Sequence, residues 1–372
     1  MKTNKIEKRL DPRLKRFYNF LEYDFIRTIA RNDGYYFAHF NDELLSKIRD
    51  RHFKSIVFAG MGCSGIICSM LKGFLIHEGV DTRIEVVNDY NMDYCFNKIH
   101  LKEDTTLVII NSYSGCTPEM LLAYDRIKNL TKNIVLITLG GELGRKGEKD
   151  GASIIKWDLK QIDQEYHIMR APEYFNILIK IFHDFGLLET DYSRELKEAQ
   201  EYVRKTFSKE HMNNAIDIAF KLIDSEITLL GSSKWTFILL KLVNLFFNEI
   251  GLVPCHTASF HEFTHGEIGK FTAPVNRQGV LLFRDINEDI LTMNKMNTVL
   301  ELLLSEENEK VSVSLIDIYD NDFFKQLYFT LYFSCYIIFI LAIHYNTSTR
   351  DLISSAIHNP WYRSQLLLQS SE

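Results

Sequence analysis

Five short apolar runs recur between residues 55 and 157, each separated from the next by a stretch long enough for a turn or a helix. They are SIVFAG (55–60), TRIEVVN (82–88), TLVIINS (106–112), NIVLITLG (133–140) and SIIKW (153–157). Unbroken β-rich runs of this kind suit strands buried on both faces, and the segments between them supply the crossovers that parallel strands require. The first half is therefore expected to form a doubly wound parallel sheet. After a charged helical connector (190–209) the pattern restarts with EITLLGSS (226–233), GVLLFRD (279–285) and VSVSLIDI (311–318). The expected fold class is α/β, with two tandem doubly wound domains whose parallel sheets are flanked by helices. The expected divisions are a helical segment over 1–50, a first domain over 51–200, a second over 201–345 and a tail over 346–372.

In open α/β sheets, ligands collect at the carboxyl ends of strands. The third run ends in Asn111-Ser-Tyr-Ser-Gly-Cys-Thr-Pro118, where Ser112, Ser114 and Thr117 bring three hydroxyls into one turn. Thr117 reads as an N-cap with Pro118 at the first helical position. A helix start carries unpaired N–H groups and the positive end of the macrodipole, so a phosphate held by these hydroxyls also collects backbone donors. Gly115 lets the backbone come close. The first run ends in Gly60-Met-Gly-Cys-Ser-Gly65, which as a string fits the GxGxxG dinucleotide fingerprint, with Asp89 as its ribose-binding acid. A dinucleotide site has no need of the second, hydroxyl-rich turn. Two hydroxyl-bearing turns at neighbouring strand ends suit one small phosphorylated ligand better. The matching turn of the second half, Arg284-Asp-Ile-Asn-Glu-Asp289, has three acids and no hydroxyl, and repels phosphate.

GMGCSG followed by SYSGCT at Ser112–Thr117 resembles the phosphosugar-binding signature of the sugar isomerase (SIS) domain superfamily. The resemblance implies that Gly62, Cys63, Ser64, Ser112, Tyr113, Ser114 and Thr117 hold a sugar phosphate. In the second half, Glu249 precedes His265 by sixteen positions, and Glu262-Phe-Thr-His265-Gly266 has the form E-x-x-H-G. That register is similar to the isomerase half of glutamine:fructose-6-phosphate amidotransferase and its tandem SIS relatives. By this likeness Glu249 shuttles a proton between C1 and C2 of the sugar, and His265 assists ring opening. Glu165 aligns with a family glutamate. Arg170 replaces a small hydroxyl residue and reads either as an added phosphate contact or as a surface salt bridge. Ser354 stands where the amidotransferase keeps its Schiff-base lysine, so no imine to the enzyme forms there, and no glutaminase domain is expected ahead of residue 50. The resemblance thus implies aldose/ketose isomerisation of a sugar phosphate, or deamination or deglycation of an aminated one. The alternative is a non-catalytic phosphosugar-binding regulator. In relatives the catalytic histidine comes from the neighbouring subunit, which implies a homodimer with its site at the interface.

His261-Glu-Phe-Thr-His265 also matches HExxH, a zinc hydrolase signature that needs both histidines on one rigid helix. Pro254 before it and Gly266 and Gly269 after it oppose such a helix. No metal and no cofactor is expected. A formal net charge of −6 argues against nucleic acid as a partner. Six cysteines without a CxxC pair, and a charged N-terminus without an apolar signal segment, fit a reducing cytoplasm. The uncharged run Leu327–Ile343 falls at the short edge of a membrane span and reads as a buried core helix, so no membrane partner is expected.

Overall fold

The computed structural model describes residues 11–90, 98–159, 164–305 and 309–351. The described residues divide into two compact units, one built on residues 31–90, 98–159 and 173–193, the other on residues 11–30, 164–172, 194–305 and 309–351.

The first of these units contains β1 (Tyr35–His39), β2 (Ser55–Ala59), β3 (Arg83–Val87), β4 (Thr106–Asn111), β5 (Ile134–Thr138) and β6 (Ser153–Trp157). Their order across the sheet is β1-β6-β5-β4-β2-β3. The pairs among β2 to β6 are parallel, and β1 joins antiparallel at the edge beside β6. Every residue of β4 and β5 is buried, as a strand covered on both faces requires. On one face Val57, Val108, Ile110, Leu136 and Ile154 pack with Met120, Leu121, Tyr124 and Leu143 from helices Pro118–Ile127 and Gly141–Asp150. Removing such a side chain from water stabilises the fold by about 1.5–3 kcal/mol each. Elsewhere Phe58 of β2 stacks on Phe182 of helix Ala171–Asp184, with ring centroids 5.8 Å apart.

The second unit contains β7 (Glu226–Gly231), β8 (Cys255–Ser259), β9 (Gln278–Asp285) and β10 (Val311–Ile318), ordered β10-β9-β7-β8 and paired parallel throughout. Read by position in the chain, this is the same strand order as β5-β4-β2-β3 of the other sheet. Helix Phe323–Tyr345 is capped by the Asp322 side chain, which accepts from the Lys325 N–H at 2.9 Å. It is the one described helix long and apolar enough to cross a membrane, yet 78% of its most apolar window is buried. Phe17 meets Phe339 edge-on at 5.1 Å and Phe25 stacks on Tyr332 at 5.7 Å, so N-terminal helices cover it.

Candidate active site

The hydroxyl-rich turn leaves β4 at its carboxyl end and enters helix Pro118–Ile127 with Pro118 in the first turn. Thr117 is the N-cap, but its side chain makes no capping hydrogen bond. Its Oγ1 instead accepts from Ser112 Oγ at 3.4 Å. Helix Gly62–His77, which follows β2, likewise starts without a side-chain cap. Because β2 and β4 pair directly, with Ala59 opposite Ile110, the two helix starts lie side by side. Both offer unpaired N–H groups and positive dipole ends toward the same strand ends. Such a pair is suited to an anion.

Hydrogen bonds tie the two turns together. Tyr113 N donates to Ser64 Oγ at 3.3 Å, and Asn111 Nδ2 donates to the Ser64 carbonyl at 3.1 Å. Ser114 is exposed and its Oγ accepts from Cys116 N at 3.2 Å, while Ser112 is buried at the base. Tyr113 packs its ring 5.0 Å from that of Tyr174. Gly62 has φ +53 and no atom within 4 Å of the place a Cβ would take, so the mouth of the turn is open there. Ser64, Ser112, Tyr113 and Thr117 are thus brought together; Gly62 and Cys63 flank them in the first turn of the neighbouring helix.

A third turn is part of this arrangement and carries no hydroxyl motif that would single it out. Thr138-Leu-Gly-Gly141 follows β5, and its Leu139 N donates to the Tyr113 carbonyl at 2.9 Å while Leu143 N donates to the Gly115 carbonyl at 2.8 Å. The signal for it in the sequence is the Gly140-Gly141 pair alone.

In the other unit, Glu249 sits in a π-helical turn, Phe247–Gly251, that ends the helix before β8. Asn248 clips this turn to β8, donating to the Cys255 carbonyl at 3.0 Å and accepting from Cys255 N at 3.2 Å. Glu249 is half-buried, and burial pushes its carboxyl above the ordinary range. Among the described residues its carboxylate has no hydrogen-bond or ion-pair partner. A desolvated, unpaired carboxylate is what carbon-acid deprotonation asks of a base. His265 and Glu262 are exposed, and His265 N donates to the Glu262 carbonyl at 3.0 Å. Neither Glu249 nor His265 hydrogen-bonds the other among the described residues.

Helix Phe260–Phe263 stops before His265, so the two histidines of HExxH do not share a helix, and His261 Nε2 lies 3.3 Å from Thr292 Oγ1. The acidic turn after β9 is not left open. Asp285, 2% exposed, accepts from Trp235 Nε1 at 2.9 Å and Gln326 Nε2 at 3.1 Å and pairs with Lys234 at 3.2 Å. That strand end is closed by its own ion pair and amide, and carries no phosphate cradle.

Arg170 lies at the end of the 3₁₀ turn Gln164–Arg170 and is 4% exposed, which corrects its reading as a surface salt bridge. Glu165 falls in the same turn. Ser354 lies outside the described residues.

No family model matches the chain. The bifunctional phosphoglucose/phosphomannose isomerase of Caldicellulosiruptor bescii is 26% identical over 309 residues, covering 80% of this chain and 86% of that protein. Among solved structures, the C-terminal domain of glucosamine-fructose-6-phosphate aminotransferase from Francisella tularensis aligns with a TM-score of 0.63 at 16% identity, over 91% of this chain and 98% of that one. Glucosamine-6-phosphate deaminase from Thermotoga maritima aligns with a TM-score of 0.58 at 14% identity, over 91% and 96% of the two chains. The fold is the α/β fold of these solved structures, with parallel sheets flanked by helices.

Proposed function

We infer that this chain is a phosphosugar isomerase, interconverting an aldose phosphate and its ketose through an enediol. The observation that carries the reading is the paired, side-chain-uncapped helix starts at β2 and β4 with Ser64, Ser112 and Thr117 between them. The likeness to a phosphoglucose/phosphomannose isomerase supports it, and we take hexose phosphates as the substrate class on that ground. Glucose, mannose and fructose phosphates yield one common enediol, because C2 becomes planar when its proton leaves. One base serves all three when the open chain turns about its C2–C3 bond, since the two aldoses carry their C2 protons on opposite faces.

Glu249 takes the proton from C2 of the open-chain aldose and returns it to C1 as the double bond shifts, leaving the C2 oxygen as the ketone. The hydroxyl proton moves from O2 to O1 in the same interconversion, so atoms balance without a redox partner. His265 carries the ring-oxygen proton during opening. Binding energy from a phosphate remote from the reacting carbons lowers the entropic part of the barrier. A homodimeric, cytoplasmic enzyme needing no cofactor is part of this reading, and so is a role for Glu262, Glu165 and Arg170 near the sugar.

The test is turnover of glucose 6-phosphate, mannose 6-phosphate and fructose 6-phosphate, with glucosamine 6-phosphate as the deamination arm and free hexoses as controls. Conversion among the first three that is lost in Glu249→Gln supports the reading. Ammonia release from glucosamine 6-phosphate, with no hexose phosphate conversion, would replace isomerisation by deamination. Binding of all four without any turnover would overturn it.

A further inference from the structure

Away from the sheets, one unit holds a cavity of about 730 Å³. Its walls come from the N-terminal helices, the junction between helices Ser193–Thr206 and Lys209–Leu222, and the long apolar helix. One wall is aromatic. Phe207 places its ring centroid 4.8 Å from that of Tyr332 and 4.6 Å from that of Tyr336. Both tyrosines line the cavity and are 2% exposed, and neither hydroxyl has a hydrogen-bond partner among the described residues.

Glu22, on the π-helical turn Phe20–Phe25 that interrupts the N-terminal helix, lines the same cavity. Turns of this type store an extra residue in a helix and concentrate at functional sites. Glu22 is half-buried, burial raises its carboxyl, and it has no ion-pair or hydrogen-bond partner among the described residues. Two of the three cations around the cavity are already engaged. Arg27 pairs with Asp24 at 3.6 Å and Arg204 pairs with Glu201, while Lys209 is exposed. Inside, the uncompensated charge is negative.

A carboxylate and aromatic rings lining one cavity are the chemistry that recognises an organic cation. The rings attract the cation through their quadrupoles, the carboxylate accepts a charge-assisted hydrogen bond, and the tyrosine oxygens accept further N–H groups. Ile26, Val203 and Ile216 supply apolar surface for a hydrocarbon body.

We propose that this cavity binds an amine with an apolar body, its ammonium held between Glu22 and the rings of Phe207, Tyr332 and Tyr336. The site is built from residues that the phosphosugar reading does not use, and it stands or falls separately.

The experiment is calorimetric titration of the full chain with phenethylamine at mildly alkaline pH, beside 2-phenylethanol, which keeps the body without the charge, and phenylacetate, which reverses it. Phenethylamine is expected to bind roughly tenfold or more tightly than the alcohol, the worth of one charge-assisted contact, and to raise the melting temperature. Glu22→Gln is expected to bring the two ligands level while the unliganded variant melts no lower than the parent. Should that variant fail to fold, Tyr332→Phe and Glu22→Asp carry the same comparison. Equal binding of amine and alcohol, preference for phenylacetate through Lys209, or no binding by any of the three would each overturn the proposal. Hexose phosphate turnover measured on Glu22→Gln separates this outcome from a failure of the isomerase reading.

Discussion

Gly115 is pressed against Gly140: a Cβ on Gly115 would lie 2.1 Å from the Gly140 carbonyl oxygen and 2.6 Å from Thr138 Oγ1. The contact is reciprocal, since a Cβ on Gly141 would lie 2.3 Å from the Ser114 carbonyl oxygen. The hydroxyl-rich turn is therefore positioned by backbone lying on backbone, with the next strand-to-helix turn as its support. Gly115 also has φ +66, a region that costs a residue with a side chain roughly 1–2 kcal/mol before any clash. Gly115→Ala should lower the melting temperature and abolish sugar phosphate binding, both read from thermal melts with and without ligand. A variant that melts lower but still binds would show that the turn is structural and the phosphate sits elsewhere.

Ser112 and Thr117 test the cradle without disturbing its backbone. Hydrogen bonds to a charged group contribute about 1.5–3 kcal/mol each, which is roughly a 10- to 100-fold effect on affinity. Ser112→Ala and Thr117→Val are each expected to raise KM for a hexose phosphate by that factor. The stability cost for Thr117→Val should be small, because its hydroxyl does not cap the helix. Steady-state kinetics beside urea melts would show it; an unchanged KM would remove Thr117 from the site.

Burial raises the Glu249 carboxyl, so ionising it costs the folded state more than the unfolded chain. The folded protein is consequently penalised at neutral pH, and the penalty fades as pH falls through the folded pKa and is gone below the ordinary carboxylate range. Glu249→Gln should therefore melt higher than the parent at neutral pH and level with it in acid, while losing hexose phosphate turnover and keeping binding. The parent's kcat/KM should rise with pH along a carboxylate titration displaced upward. Urea melts at both pH values check the first part; a variant less stable than the parent at neutral pH would contradict a desolvated, unpaired Glu249.

The central strands were legible as apolar runs buried on both faces, as β4 and β5 show residue by residue, and the edge strands β3 and β10, only partly buried, were legible through their β-branched residues. Two strands escaped that signal. β8 is Cys-His-Thr-Ala-Ser, an edge strand with one fully buried residue, held by pairing to β7 and by the Asn248 clip rather than by hydrophobicity. β1 is an antiparallel edge with four exposed residues, and it is anchored by the Tyr35 hydroxyl on Asp184 from far along the chain. Of the site, the hydroxyls and the capping proline were visible as a local string. The Gly140-Gly141 support was not, because its role lies in a backbone contact between turns that share no sequence neighbourhood. Likewise Arg170 reads as surface from its charge alone, and only packing shows it buried.

The two candidate proton-transfer residues are unlike in setting, and that difference makes subunit complementation a clean test. Glu249 is half-buried in a turn clipped to β8, whereas His265 is exposed just past the end of a short helix, with no side-chain partner among the described residues. Glu249→Gln and His265→Ala should each be inactive alone as folded protein. If each site of a homodimer draws these residues from different subunits, a mixed dimer has one site with both residues intact. After subunit exchange at equal amounts, random pairing makes half the dimers mixed, each with one working site, so roughly a quarter of parental activity should return. Size-exclusion profiles with light scattering would confirm that exchange occurs among dimers. Exchange without recovery would place both residues in the same subunit's site, and a monomer that turns over substrate would end the shared-site reading.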